Sequence, residues 1–406
     1  MVANIFSSWA NNTRGNVAMI FGISLVPLLL VVSFAIDSSR QISTSHHLQS
    51  AIDAASLAGA RALEDASKTD TEIKTIALNS LNANLGSTHS DVTCAESNVL
   101  INRDQGTVQV ASDCTLNTLI GGSLTQDTMG VSNSGTAKAN VTKLDLAMML
   151  DVSGSMSGDK LADLKTAAIT AAETLVTDAT GDRVRVSFVS YSTSVNAGIY
   201  GNEALGRLPG DDSDGDGVDK VCVSERTGSA AWKDDDPQLG KYVGDEATSC
   251  PDSSLLPLTH DLDKFETEIN KLNANGWTAG HLGVAWSWYL VAPDWGLIWP
   301  AASEPRSYTE PNAIKAVILM TDGKFNRAYE STLGDSNLQA KTMCDEMRDE
   351  GVLVYSVAFQ APSSAKATLK DCAGGDARFF DATSGEDLLN AYAAIASELS
   401  SLTIVD

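Results

Sequence analysis

Basic residues are scarce in this sequence. Against 52 Asp and Glu stand only 28 Lys and Arg in 406 residues, a formal net charge of -24. A nucleic-acid-binding face needs clustered positive charge, so the imbalance excludes that class. It also sets the soluble part of the chain against anionic lipid headgroups and favours divalent cations. Cysteine is limited to six residues with no CxxC or Cys/His spacing, which excludes a zinc centre of the usual kind. A phosphate loop is missing too, because no Gly-Lys-Ser/Thr follows the Gly- and Ser-bearing loop at residues 151–158. In the same loop, Gly154-Ser155-Met156-Ser157-Gly158 has Met where a nucleophile elbow has Ser. Ser157-x-x-Lys160 has no SDN or KTG companion, and His260 and His281 have no partner motif, so a hydrolase is poorly supported.

What is present is organised around Leu144–Gly158, LDLAMMLDVSGSMSG. An apolar run ends abruptly in Asp151-Val152-Ser153-Gly154-Ser155, and Leu161, Leu164, Ala168 and Leu175 follow at helical spacing. This reads as a buried parallel strand, a loop and a helix, with the loop at the strand's carboxyl end, where open α/β sheets place their ligands. One carboxylate and two hydroxyls at alternate positions form an array of hard oxygen donors suited to Mg²⁺, Mn²⁺ or Ca²⁺. Downstream, Asn275-Gly276-Trp277-Thr278-Ala279-Gly280 opens another helical segment, and Ala316-Val317-Ile318-Leu319-Met320-Thr321-Asp322-Gly323 is a second buried strand ending in Asp-Gly. Strand–helix alternation continues to the end of the chain and predicts a doubly wound, mainly parallel α/β sheet.

DxSxS, a Thr in a Gly-rich loop and a strand ending in Asp together resemble the metal-ion-dependent adhesion site (MIDAS) of von Willebrand factor type A domains. The resemblance implies a Rossmann-like fold and a metal set of Asp151, Ser153, Ser155, Thr278 and Asp322. It further implies a bound Mg²⁺ or Mn²⁺, with one coordination position left for an acidic side chain of a protein partner. Plain caps and turns of an α/β domain are the competing account of the same residues.

Val17–Ile36 is an uncharged apolar run of about 20 residues, the length that spans a bilayer. It is too long for a signal-peptide core, and Asp37-Ser38-Ser39-Arg40 offers no Ala-x-Ala cleavage site, so a retained anchor is expected. Arg14 before the span and a large acidic body after it predict an N-in orientation, with the remainder outside the cytoplasm. Leu48, Ile52, Ala55 and Ala62 recur at helical spacing beyond it, so the helix is expected to continue through Gln41–Glu64. Arg14-Gly15-Asn16-Val17-Ala18, the apolar span and Leu48-Gln49-Ser50-Ala51-Ile52-Asp53-Ala54-Ala55 resemble the amino-terminal region of TadG-like proteins of bacterial Tad (Flp pilus) assembly systems. That resemblance implies a single-pass inner-membrane protein whose partners include pilus or Tad secretion components.

The expected order is therefore a cytoplasmic segment at 1–16, a membrane helix at 17–36, a small helical and β stalk at 37–142 and an α/β head at 143–406. Asn98–Asn102 and Thr107–Ala111 should form a hairpin in the stalk. Asp182–Tyr191, which alternates polar and apolar residues, should be an edge-type strand, and Leu258–Ala274 a helix. An acidic insertion at about 197–257 contains Asp212, Asp214, Asp216 and Asp219, either a second site, for Ca²⁺, or a solvated loop; no Glu stands at the last EF-hand position. A second insertion at about 293–311, with Trp295 and Trp299, is expected near the metal face as partner surface, lid or packing. For an exported head, local pairing favours the bridges Cys94–Cys114, Cys222–Cys250 and Cys344–Cys372 among the fifteen pairings, with free buried thiols the alternative for a cytosolic domain.

Two functions compete. One is a metal-dependent adhesion or assembly component of a Tad/Flp-type pilus, without enzymatic activity. The other is a metal-dependent chaperone or insertase-like subunit acting on other envelope proteins.

Overall fold

The computed structural model describes residues 14–86, 92–103, 105–118, 127–139, 141–208 and 220–403. The chain divides into two compact units, Met1–Ala139 and Asn140–Asp406.

In the first unit, α1 (Arg14–Leu63) is one continuous helix with Pro27 inside it. Its early apolar side chains are exposed, Phe21 at 63% and Phe34 at 71%. The helix from Met19 is long and apolar enough to cross a membrane, with a mean hydropathy of 2.6 over an 18-residue window. Ser24 and Ser33 return their hydroxyl protons to the carbonyls of Ile20 and Leu29, which satisfies both groups within the helix. Farther along, Leu48, Ala51, Ile52 and Ala55 are buried. They face α2 (Asp70–Leu85) and a four-stranded antiparallel sheet of β1 (Val92–Cys94), β2 (Asn98–Asn102), β3 (Thr107–Asn117) and β4 (Thr128–Lys138). Thr69 and Glu72 form a capping box that fixes the start of α2. Small side chains on α1 permit close approach: a Cβ on Gly59 would lie 2.8 Å from Val108 Cγ1. The expected hairpin is present, with Asn102 opposite Thr107. Cys94 and Cys114 are directly opposed on neighbouring strands and are disulfide-bonded.

The second unit begins with β5 (Lys143–Asp151), α3 (Asp159–Leu175), β6 (Val184–Tyr191), β7 (Val195–Asn196) and the short α4 (Gly201–Ala204). There follow β8 (Cys222–Val223), β9 (Leu256–Thr259), α5 (Leu262–Asn270), α6 (Gly280–Tyr289), β10 (Ala313–Thr321) and α7 (Ser336–Asp349). The unit closes with β11 (Leu353–Phe359), α8 (Ser363–Cys372), β12 (Phe379–Ala382) and α9 (Gly385–Thr403). The sheet order is β12-β11-β10-β5-β6-β7-β8, with β9 also on β6; β12, β11, β10, β5 and β6 run parallel. The doubly wound, mainly parallel α/β class read from the sequence is the one observed. Its cause is visible in the side-chain alternation along each strand. Ala147, Met149, Val317, Leu319 and Val354 point into a core shared with α6, α7 and α8. Leu146, Met148, Ile318, Met320 and Val357 point into the opposite core, shared with α3, α5 and α9.

Three local expectations are corrected. Val184–Tyr191 is not an edge strand: every residue is buried, and it pairs with β5 on one side and with β7 and β9 on the other. Its polar residues are satisfied internally, Arg185 on Asp145, Ser187 on the Leu146 carbonyl and Ser190 on Ser253. Leu256–Thr259 is a strand, so the following helix starts later, capped by Asp261. The second insertion is not at the end of the sheet where Asp151 and Asp322 lie. Arg306 donates to Asp145 (2.6 Å) and to the Asp182 carbonyl, and Lys143 pairs with Glu310, so the segment is tied to the opposite end of β5 and β6. Trp295 and Trp299 pack with Trp286 and Tyr289 in an aromatic cluster. Asp145 gathers Arg185, Arg306 and Lys315 around it. Burial raises its carboxyl, but those three cations outweigh burial and leave it below the ordinary carboxylate value.

Candidate metal centre

In sheet order β5 is followed by β6 on one side and by β10 on the other, so the winding reverses between β5 and β10. Open sheets bind ligands beyond the carboxyl ends of the strands at such a point. There β5 ends in Asp151 and β10 in Thr321, immediately before Asp322. Asp151 is fully buried. Its Oδ1 accepts the Ser153 amide at 2.8 Å, and its Oδ2 accepts Thr321 Oγ1 at 2.6 Å and the Tyr191 hydroxyl at 3.1 Å. Burial pushes the Asp151 carboxyl up and the nearby Asp322 charge adds to this, while hydrogen bonds from Ser153 and Thr321 oppose it; the balance lies above the ordinary value.

Asp322 is held from two sides. Ser155 Oγ donates to its Oδ1 at 2.6 Å and Lys160 Nζ to its Oδ2 at 2.7 Å. Ser153 Oγ and Ser155 Oγ are 3.1 Å apart. Thr278 comes from the third loop and is clamped through its backbone: its amide donates to Asn326 Oδ1 (3.0 Å) and its carbonyl accepts the Asn326 amide (2.9 Å). The loops are stitched together by Gly154 N–H to the Gly276 carbonyl and by Asn275 N–H to the Val152 carbonyl. Gly276 needs to be glycine, since its φ is +88° and a Cβ would fall 2.5 Å from Thr193 Oγ1. An added Cβ on Gly323 would lie 3.7 Å from Ser155 Oγ and 3.9 Å from Thr278 Oγ1, so these hydroxyls border one small space that a side chain there would fill.

The five residues expected from the sequence thus lie on three loops that meet at one end of the sheet. Their chemistry fits a hard divalent cation: Ser155 gives its proton to Asp322, which leaves its lone pairs available to a cation, and Asp151 and Asp322 bring carboxylate oxygens to the same loops. Among the described residues, no three His, Cys, Asp or Glu side chains are grouped as a metal would require. The set here relies on two carboxylates and three hydroxyls instead. Asp212, Asp214, Asp216 and Asp219 lie outside the described residues.

Thr321, Tyr191 and Lys160 belong to the site and were not singled out as members of it from the sequence. Lys160, noted there only for its spacing from Ser157, pairs with Asp322, and the Ser157 hydroxyl donates to the Gly154 carbonyl. A second polar cluster is equally non-local. His281 bonds Ser336 Oγ through Nδ1 (2.6 Å) and Glu225 Oε1 through Nε2 (2.7 Å). The three residues resemble a hydrolytic triad in connectivity, but His281, Ser336 and Glu225 are 0%, 2% and 3% exposed, which leaves a substrate no access. The cluster fixes the acidic insertion to α6 and α7. Cys222–Cys250 closes that insertion and Cys344–Cys372 joins α7 to α8.

Residues 15–62 match the Tad family model, described as "Putative Flp pilus-assembly TadE/G-like". No curated protein matches the chain. Among solved structures, the vWF domain of the type V pili tip protein Mfa5 from Porphyromonas gingivalis is similar at 12% identity and a TM-score of 0.42, over 66% of this chain and 98% of that one. The pilus adhesin SpaC from Lactobacillus rhamnosus GG is similar at 11% identity and a TM-score of 0.41, over 78% of this chain but 36% of the adhesin, so the likeness spans about a third of that molecule. A von Willebrand factor type A structure from Catenulispora acidiphila is similar at 14% identity and a TM-score of 0.36, over 78% of this chain and 51% of that one.

Proposed function

We propose that the chain is a membrane-anchored, metal-dependent protein-binding component of a Tad/Flp-type pilus system and not an enzyme. The observation that carries this is the convergence of Asp151, Ser153, Ser155 and Asp322 at the reversal of the sheet, with Ser155 2.6 Å from Asp322. The Tad match over residues 15–62 supplies the pilus context. Ser153, Ser155 and Thr278 would hold Mg²⁺ or Mn²⁺ through hydroxyl oxygens, with Asp151 and Asp322 binding it directly or through water. Held by neutral hydroxyls, such an ion keeps much of its charge and takes an Asp or Glu of a protein partner as a further ligand. Thr321 and Tyr191 orient Asp151 beneath the site. Asn326 fixes the Thr278 loop at its rim.

The apolar helix would anchor the chain in the inner membrane, with residues from Asp37 onward outside the cytoplasm. Three disulfides support that compartment, since such bonds persist where the environment is oxidising.

Two measurements test the reading. A carboxyl-terminal reporter active only in the periplasm should be active, and one active only in the cytosol silent. Calorimetric titration of EDTA-treated protein with Mn²⁺ should show binding that Ser155→Ala abolishes. Equal binding by parent and Ser155→Ala sinks the metal-dependent part of the proposal.

A further inference from the structure

We infer that Lys160 is a tethered competitor for the cation, a residue that lowers the affinity of the centre for divalent metal. The inference rests on the metal-site reading above.

Lys160 Nζ lies 2.7 Å from Asp322 Oδ2, and the two side chains differ sharply in exposure, 28% for the lysine and 1% for the aspartate. The ammonium therefore reaches a buried carboxylate from the solvent side. In most of the other Lys–Asp pairs of the described residues the carboxylate is between 30% and 81% exposed. The other fully buried acid in a Lys pair, Asp145, serves a structural cluster at the far end of β5.

Lys160 also stands in the first turn of α3, which starts at Asp159. A helix amino terminus carries partial positive charge and disfavours a cation, so the helix itself gives the lysine no reason to be there. Its favourable partners are Asp322 and the ring of Phe359, whose centroid is 5.9 Å from Nζ. The pair neutralises one of two buried carboxylates that would otherwise repel each other across a small space.

A divalent ion bound through Ser155 and Asp322 shares that carboxylate with the ammonium. A unit charge and a double charge on one carboxyl group repel strongly even at the effective dielectric of a protein surface. Metal loading therefore works against the Lys160 contact with Asp322 Oδ2, and that work is taken from the metal affinity. The centre then fills only at a higher cation concentration than its oxygen donors alone would set.

The test uses the full chain in detergent micelles, stripped with EDTA, with free Mn²⁺ followed by electron paramagnetic resonance. Lys160→Gln should lower the Kd for Mn²⁺ at least tenfold, whereas Lys160→Arg should stay near the parent. A purely structural lysine predicts the opposite, weaker binding on its removal. Thermal unfolding supplies a second readout: in EDTA, Lys160→Gln should melt below the parent, and saturating Mn²⁺ should raise its Tm more than it raises the parent's. If Gln loses the fold, Lys160→Met keeps the aliphatic stem over Phe359 and carries the same expectation. Unchanged or weaker Mn²⁺ binding in these variants, with Ser155→Ala still abolishing it, overturns the inference and spares the metal site. Absence of any binding sensitive to Ser155→Ala removes both.

Discussion

Thr321 Oγ1 lies 2.6 Å from Asp151 Oδ2, closing the ends of β10 and β5 on each other across 170 positions of sequence. Neither residue faces solvent, and each is the last residue of a central strand. The bond turns the junction of two strands into a fixed floor for the loops above it.

Thr321→Val keeps the shape of that floor and removes the donor. Mn²⁺ affinity should fall several-fold with the fold retained, and stability should drop by about 1–3 kcal/mol, the effect of leaving a buried acceptor short of a partner. Titration calorimetry and urea unfolding read the two effects separately. Unaltered Mn²⁺ affinity would show that Asp151 does not need this orientation.

Removing the His281 side chain should loosen the acidic insertion. His281→Ala deprives Glu225 Oε1 and Ser336 Oγ of a shared partner, at about 1–3 kcal/mol. Amide exchange should quicken in residues 222–250 more than in β5 or β10. Uniform quickening across the unit would contradict a local tie.

Cys344 and Cys372 are fully buried as well as bonded. Native protein should resist alkylation at both, and mass mapping without reductant should recover all three bridged peptides. Cys344→Ser should destabilise the second unit by roughly 2–4 kcal/mol, as expected for a bridge closing a loop of this size.

Lys315 gives a pH signature. Burial lowers its pKa from the ordinary 10.5 to about 8, against the pull of Asp145. Between those values the unfolded chain holds the proton and the folded one has released it, so stability from this group rises with pH from about 8 to 10.5. Below pH 8 the full penalty of burying the ammonium is present. The difference in urea-unfolding free energy between the parent and Lys315→Met should therefore shift in favour of the parent across this window. A constant difference would mean that Lys315 titrates normally.

The meeting of the Asp151–Ser155, Thr278 and Asp322 loops is expected from the resemblance of DxSxS, a Thr in a Gly-rich loop and a strand ending in Asp to an adhesion-site motif; the break in hydrophobic pattern after β5 marks only the first of these loops. Thr321, Tyr191 and Lys160 were not legible as members of the site, because their roles depend on which strand lies beside β5, and short-range spacing carries no such information. Burial misled in a similar way along β6. Arg185, Ser187 and Ser190 form the polar half of the alternation that suggests an edge-type strand, yet each finds a polar partner on an adjacent segment. The alternation that marks a strand does not distinguish water from a satisfied interior. The second insertion follows α6 in the chain, but the pairing of Arg306 with Asp145 takes it to the end of the sheet remote from Asp151.

Strand β5 receives the chain from the first unit at Lys143 and delivers it to the candidate centre at Asp151. If the chain is anchored and bound as proposed, a pull applied at the centre and resisted at the amino-terminal apolar helix would run lengthwise through these nine residues. Parallel neighbours grip the strand on both flanks, β10 from Lys143 to Met149 and β6 from Leu144 to Asp151. Tension along that axis would shear both ladders together, so their hydrogen bonds would have to yield as a group and not in succession like a zip. On the proposed function, the strand that carries Asp151 would thus also be the tether through which an adhesive load is transmitted.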